Sequence, residues 1–237
     1  MTPEQEAAIN VVRNAYEMNF HEHKSGPKSL FWNDRATQYL RFEQILQGLR
    51  PFIGAGASIH DLGSGLCDFY DFLHTQGLAS VIDYSGTELV EDMNVAARKC
   101  FPHLKLESRN FLDNVTAGEY DFCIASGTFN LHGGIAEPAW RALCMQLIET
   151  MFERSRRGIA FNMLSSYRTR SDASLCYFDP REMFDFLTRR LSRFVTVDTS
   201  SPLFEVTYTV MKQDFMSNHY EQPEFRKYFG NPSPSTR

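Results

Sequence analysis

The stretch IHDLGSGLCDFYDFL, Ile59 to Leu73, decides the fold. It opens as an apolar run, ends that run on Asp61, crosses Gly63 and Gly65, and continues as a helical segment. Strand, glycine turn and helix make the start of a βα unit. In open α/β sheets, ligands sit beyond the carboxyl ends of the strands, usually beside the first one. Gly63 and Gly65 let the backbone turn tightly and approach a ligand, and the helix that follows offers free N–H groups. A dinucleotide loop of the form G-x-G-x-x-G would need a third glycine where Asp68 stands, an anion beside the expected pyrophosphate. A P-loop would need a lysine and a hydroxyl residue after its last glycine, but Leu66 and Cys67 follow Gly65. What remains is a ligand with no phosphate and a cationic part, for which an acid at the strand end is favourable. S-adenosylmethionine is such a ligand.

Outward from this loop the chain alternates. Apolar runs near 58–62, 79–83 and 104–107 and the runs YDFCIAS at 120–126 and GIAFNML at 158–164 are separated by helical stretches near 66–76, 88–99 and 138–153. Such alternation predicts βαβ units and a doubly wound parallel sheet covered on both faces. After a helix at about 180–191 the pattern changes. FVTVDT and FEVTYTVMK are joined only by SSPL, a link that permits only an antiparallel pair. Two helices, over about 3–20 and 35–49, precede the alternation, and a polar tail follows from Asp214 and is expected to be flexible. The expected division is a helical cap over 1–56, a catalytic domain over 57–211 and a tail over 212–237.

Three more strand ends carry polar or aromatic groups suited to a nucleoside. Glu88, in YSGTEL, stands where a carboxylate can accept hydrogen bonds from both ribose hydroxyls. Asn110 and Phe111, after the third strand, offer an amide for an adenine edge and a ring for its face. Ser126 and Gly127, after the fourth, come close to the ligand and open a glycine-containing loop that could frame an acceptor.

Composition bounds the partners. The 237 residues carry a formal charge of -5, so no basic field exists to hold a nucleic-acid backbone. Five cysteines with no CxxC pair suggest a reducing compartment. Without a basic start followed by an apolar block, or any run of about 18 apolar residues, a cytoplasmic protein with no membrane partner is expected.

Together, IHDLGSG, YSGTEL, NFLD, YDFCIASGTFNL and the closing FEVTYTVMK resemble class I S-adenosylmethionine-dependent methyltransferases of the small bacterial type, over about residues 57 to 211. The resemblance implies a Rossmann-like, seven-stranded, three-layer α/β/α fold with a reversed last strand. It implies that Asp61, Gly63, Ser64 and Gly65 surround the methionine part of S-adenosyl-L-methionine, that Glu88 holds the ribose, and that Asn110 and Phe111 contact adenine. The family more often has Asp where Asn110 stands, although the amide oxygen can still accept from the adenine amino group. FWNDRATQYLRFEQIL resembles the cap region of some members, which makes Arg41 the candidate for the methionine carboxylate and Trp32, with Tyr16, a cover.

Methyl transfer from a sulfonium is an in-line displacement that needs orientation and exclusion of water more than a protein nucleophile. If the acceptor is a hydroxyl, His132 in the loop after the fourth strand is the candidate base; His21, His23, Tyr167 and Tyr177 could also face the site. His132, Glu137 and Asp172 have no recognised ligand spacing, so no metal is expected. The reading is a methyltransferase acting on a small-molecule acceptor. The alternatives are a NAD-linked Rossmann oxidoreductase, which Asp68 argues against, and a non-catalytic S-adenosylmethionine-binding protein. Neither the acceptor atom nor the oligomeric state is legible.

Overall fold

A computed structural model describes residues 3–113 and 116–229. The strands are β1 (Ala57–Leu62), β2 (Ile82–Glu88), β3 (Lys105–Ser108), β4 (Tyr120–Ala125), β5 (Ser155–Leu164), β6 (Phe194–Asp198) and β7 (Glu205–Met211). They form one seven-stranded sheet in the order β3-β2-β1-β4-β5-β7-β6. The first five are parallel, and β7 runs antiparallel to both β5 and β6, as the short SSPL link requires. The order reverses between β1 and β4, so the glycine loop sits at the topological switch point.

The helices are α1 (Pro3–His23), α2 (Arg35–Leu49), α3 (Asp68–Thr75), α4 (Glu91–Cys100), α5 (Glu137–Arg154), α6 (Pro180–Arg190) and α7 (Gln213–His219). Two apolar cores divide at the sheet. On one face, Phe42, Ile45, Leu46 and Leu49 of α2 and Phe69, Phe72 and Leu73 of α3 pack with Ile59 and Phe122. On the other, Leu143, Cys144, Leu147 and Ile148 of α5 and Met183 and Leu187 of α6 pack with Leu62, Cys123 and Phe161, and Ala8, Ile9 and Val12 of α1 join them. The first helix is therefore part of the α5 side rather than a detached arm. Its far end packs through Phe20 on Val90 and Met93 of α4.

Two expectations need correcting. The second strand lies at 82–88, not 79–83, and α4 starts at Glu91 rather than 88. Asp83 and Gly86 are weak strand formers, and pairing with Ser58 and Asp61 on β1 carries them into the sheet. The tail is also ordered further than its polarity suggests, because Met216 buries one side of α7 against the sheet. The segment 230–237 lies outside the described residues. No described helix is long and apolar enough to cross a membrane.

Candidate active site

The loop after β1 is pinned from two sides. The Gly63 and Ser64 N–H groups both donate to the Thr87 carbonyl, at 2.8 and 3.2 Å. The Thr128 hydroxyl donates to the Leu62 carbonyl at 2.8 Å from the end of β4. A Cβ on Gly63 would lie 2.9 Å from Thr128 Oγ1, with the backbone at φ +74°, so both space and conformation call for glycine. Gly86 does the same from below, since a Cβ there would stand 2.6 Å from the Ser64 side chain. A glycine inside a strand marks a close approach of this kind. Ser64 Oγ is buried with no hydrogen-bond partner among the described residues.

Glu88 ends β2 and is buried. One carboxylate oxygen accepts from the Leu89 and Val90 N–H groups at 2.7 and 3.0 Å, the other from the Gly65 N–H at 3.0 Å. Burial pushes its pKa up while these three donors pull it down. The carboxylate thus ties the glycine loop to the start of α4 and keeps acceptor capacity in reserve. Tyr16 on α1 shares this environment, where burial, followed by the charge of Glu88, raises its phenol. Asp61 is buried beneath the loop and accepts from the Tyr84 hydroxyl at 2.7 Å. Burial dominates and pushes its pKa up to about 7, the Tyr84 bond opposing and Glu88 and Asp68 adding to the shift.

After β3, Asn110 Oδ1 accepts from the Leu112 N–H at 3.0 Å and folds the loop into a turn. The buried Phe111 ring lies 5.4 Å from the stacked His60 ring and 4.7 Å from the Arg154 guanidinium. Arg154, at 1% exposure the most buried cation in its surroundings, donates to the carbonyls of Phe111 and Asp113 at 3.2 and 2.7 Å and pairs with Glu119 at 2.7 Å. One buried side chain thereby fixes this loop at Phe111 and Asp113.

At the end of β4, Asn162 accepts from the Gly127 N–H at 2.8 Å and donates to Ser126 Oγ at 3.2 Å. Gly127 holds φ +73°, and a Cβ on it would fall 2.4 Å from the Trp32 ring. Trp32 in turn lies under the Arg41 guanidinium at 4.5 Å. Arg41 pairs with Glu205 at 2.6 Å and donates to the Thr37 carbonyl at 2.9 Å. Its charge is spent inside the fold, and it supports Trp32 from behind. Leu30 covers Gly65, where an added Cβ would stand 3.0 Å from its side chain.

These elements enclose one pocket of about 890 Å³, counting its open mouth. Trp32, Gly63, Gly65, Glu88, Asn110, Phe111 and Ser126 all line it. Asp61, Ser64 and Gly127 sit directly behind that lining, and Arg41 one layer further. His132 does not line it. The Nε2 of His132 faces the Ala173 carbonyl at 2.8 Å and its Nδ1 is buried without a partner, in a loop zipped to the 165–178 segment by the Leu131–Leu175 bridge. The sequence reading missed Ile9, Val12 and Arg13 of α1, Arg109, Thr128, and Trp140, Leu143 and Leu147 of α5, which also line the pocket. Only the helical spacing of α1 and α5 could have signalled the apolar ones. Among the described residues, one trio brings possible metal-binding atoms within 4.8 Å, Glu17 and His21 on α1 with Asp92 on α4, away from this pocket and largely exposed.

No family model matches the chain. A Mycobacterium tuberculosis protein named "Putative methyltransferase Rv1506c" is 35% identical over 178 residues, covering 71% of this chain and 98% of the relative. The fold is shared with magnesium protoporphyrin IX methyltransferase from Synechocystis PCC 6803, solved with bound S-adenosylmethionine (TM-score 0.60, 9% identity, covering 86% of this chain and 97% of the other). It is shared too with Burkholderia thailandensis 1,6-didemethyltoxoflavin-N1-methyltransferase, solved with bound 1,6-didemethyltoxoflavin and S-adenosylhomocysteine (TM-score 0.59, 15% identity, covering 90% of this chain and 91% of the other). A glycine loop at the switch point, a reversed last strand and a methyltransferase relative aligned over nearly its whole length lead to one assignment: the chain belongs to the class I S-adenosylmethionine-dependent methyltransferases.

Proposed function

We propose that this chain transfers a methyl group from S-adenosylmethionine to a small-molecule acceptor in the pocket between α1, α5 and the strand ends. The observation that carries this is the joining of four strand ends in one cavity, at Gly63 and Gly65, Glu88, Asn110 and Phe111, and Ser126. The residues fit the cofactor. The glycine cradle, where a Cβ on Gly63 or Gly65 would crowd Thr128 or Leu30, stands at the loop, Glu88 keeps lone-pair capacity for ribose hydroxyls, and Phe111 and Leu89 give the lining apolar surface for adenine. When bound, the cofactor supplies an electrophilic methyl on a sulfonium.

The protein's part is orientation and exclusion of water. Trp32, held by Arg41, and Leu30 close over the loop, and Asp61 places a titrating carboxyl beneath it. Asn162 fixes Ser126 and Gly127 so that the β4 end presents a rigid edge to the acceptor. His132 stands outside this pocket and would serve as a base only for an acceptor that reaches from the cavity to its loop. Residues 57–211 are taken as the catalytic unit, with α2 and α1 before it supplying a layer and the cover, and α7 after it packing on the α2 side of the sheet. A cytoplasmic setting agrees with the free cysteines Cys67, Cys100, Cys123, Cys144 and Cys176. The small-molecule acceptor is favoured by the enclosed pocket, and the protoporphyrin and toxoflavin enzymes of the same fold act on small molecules. Isothermal titration with S-adenosylhomocysteine tests the cofactor half: saturable binding is expected, and a folded protein that gives no heat overturns the proposal.

A further inference from the structure

Three charged side chains line the pocket, and two are already satisfied. Glu88 accepts three backbone N–H groups, and Arg109 pairs with Glu107. The third, Arg13, has its Nε buried with no hydrogen-bond partner, and no acidic side chain among the described residues pairs with it. Its neighbours along the lining, Ile9, Val12, Trp140, Leu143 and Leu147, are apolar. Arg13 is half-buried, with its Nε sealed beside this apolar wall, so an anion in the pocket would meet its planar fork in place of water, and that fork matches a carboxylate.

The position of Arg13 says which end of the cavity this is. Gln5 donates to Gln146 in the middle of α5, at 2.5 Å, while Val11 and Val12 lie 3.2 and 3.8 Å from where a Cβ of Gly133 would stand. Helix α1 therefore runs back along α5 and carries Val11 and Val12, the residues just before Arg13, against the loop that leads out of β4. Tyr16, one turn later, also lines the pocket and lies within reach of the charge of Glu88.

We propose that Arg13 is an anion anchor for the methyl acceptor, so that the acceptor is a small molecule with an apolar body and a carboxylate or similar monoanion. This rests on the methyltransferase reading of the pocket. The same chemistry could be supplied by the carboxylate of the cofactor, and the test separates the two sources.

The full chain, saturated with S-adenosylhomocysteine, is titrated calorimetrically with 2-naphthoate and with the neutral isostere 2-naphthamide. Wild type should bind the carboxylate about tenfold tighter or more, as a desolvated charge-assisted pair allows. R13Q should lose most of that preference and R13K keep part of it, while the affinity for S-adenosylhomocysteine stays the same in all three. Thermal melts confirm that the variants are folded. No preference in wild type, or a preference that survives R13Q, overturns the proposal. Loss of S-adenosylhomocysteine affinity in R13Q, with the naphthoate preference intact, assigns Arg13 to the cofactor and also overturns it. Failure of wild type to bind S-adenosylhomocysteine at all would instead sink the underlying reading.

Discussion

The two halves of the pocket are built on different physics. The strand-end half is held by hydrogen bonds of buried side chains: Glu88 accepts from Gly65, Asn162 accepts from Gly127, and Arg154 donates to the loop after β3. The half supplied by α1 and α5 is held by apolar packing, with one unpartnered cation, and its surface ion pairs are exposed. Polar groups specify one geometry because leaving any of them unpaired is expensive, whereas an apolar wall tolerates exchange of side chains of similar size. A fixed donor site beside an adaptable acceptor wall is what a fold hosting many acceptors requires.

Substitutions in the first half should therefore cost most. Arg154→Leu strips the Phe111 and Asp113 carbonyls and Glu119 of their donor and removes the cation behind the Phe111 ring. We expect about 3 kcal/mol of lost stability, the scale for removing one partner of a buried charged network, read from chemical denaturation. A loss under about 0.5 kcal/mol, the usual size for a surface change, would mean that the loop is held by packing alone and that the contrast between the halves is overdrawn. Glu88→Ala acts on the cofactor itself. Two hydrogen bonds to a charged acceptor, each worth about 1.5 kcal/mol or more, imply an affinity loss on the order of 100-fold for S-adenosylhomocysteine, measured by calorimetry.

Asp61 gives the donor half a pH signature. Its folded pKa of about 7 lies well above the ordinary 3.8, so across that window the folded chain keeps a proton that the unfolded chain has released. Its contribution to stability is thus greatest near the acid end, falls as pH rises through the window, and is level above it. A cationic cofactor nearby prefers the ionised form. Binding of S-adenosylmethionine should tighten from pH 6 to pH 8, by up to about tenfold for each pKa unit that the cation displaces. Asp61→Asn retains an acceptor for the Tyr84 hydroxyl and should flatten the profile; a profile as steep as in wild type would remove Asp61 from the account.

The donor half was also the legible half. Glycines at a strand end, an acid at the next and an amide with an aromatic ring at the third are local signals, because each is required by backbone geometry or by hydrogen bonding over a few residues. The closing antiparallel pair followed from the SSPL link, and the seven strands from the family resemblance that these signals carry. The support behind them was not legible. Arg154, Asn162 and Glu205 reach their partners across 35 to 164 positions of sequence, and nothing near Arg41 tells that it will face Glu205 instead of a ligand. Arg13 was missed for a related reason: on a helix that reads as amphipathic, an arginine looks solvated until the fold shows which wall it joins.

The smallest expected effect is the sharpest check on the second half. His21 on α1 meets Asp92 on α4 at 3.1 Å, with both side chains more than half exposed. If packing of Phe20 on Val90 and Met93 is what closes α1 over the pocket, this pair contributes little. His21→Ala should then change stability by less than about 0.5 kcal/mol and leave the affinity for S-adenosylhomocysteine within twofold, roughly 0.4 kcal/mol. A much larger loss, together with a stabilisation by divalent cations that wild type shows and His21→Ala lacks, would show that Glu17, His21 and Asp92 act together on a bound ion. In that case the cover is fastened by a charged clasp, and the contrast between a polar half and a packed half would have to be redrawn.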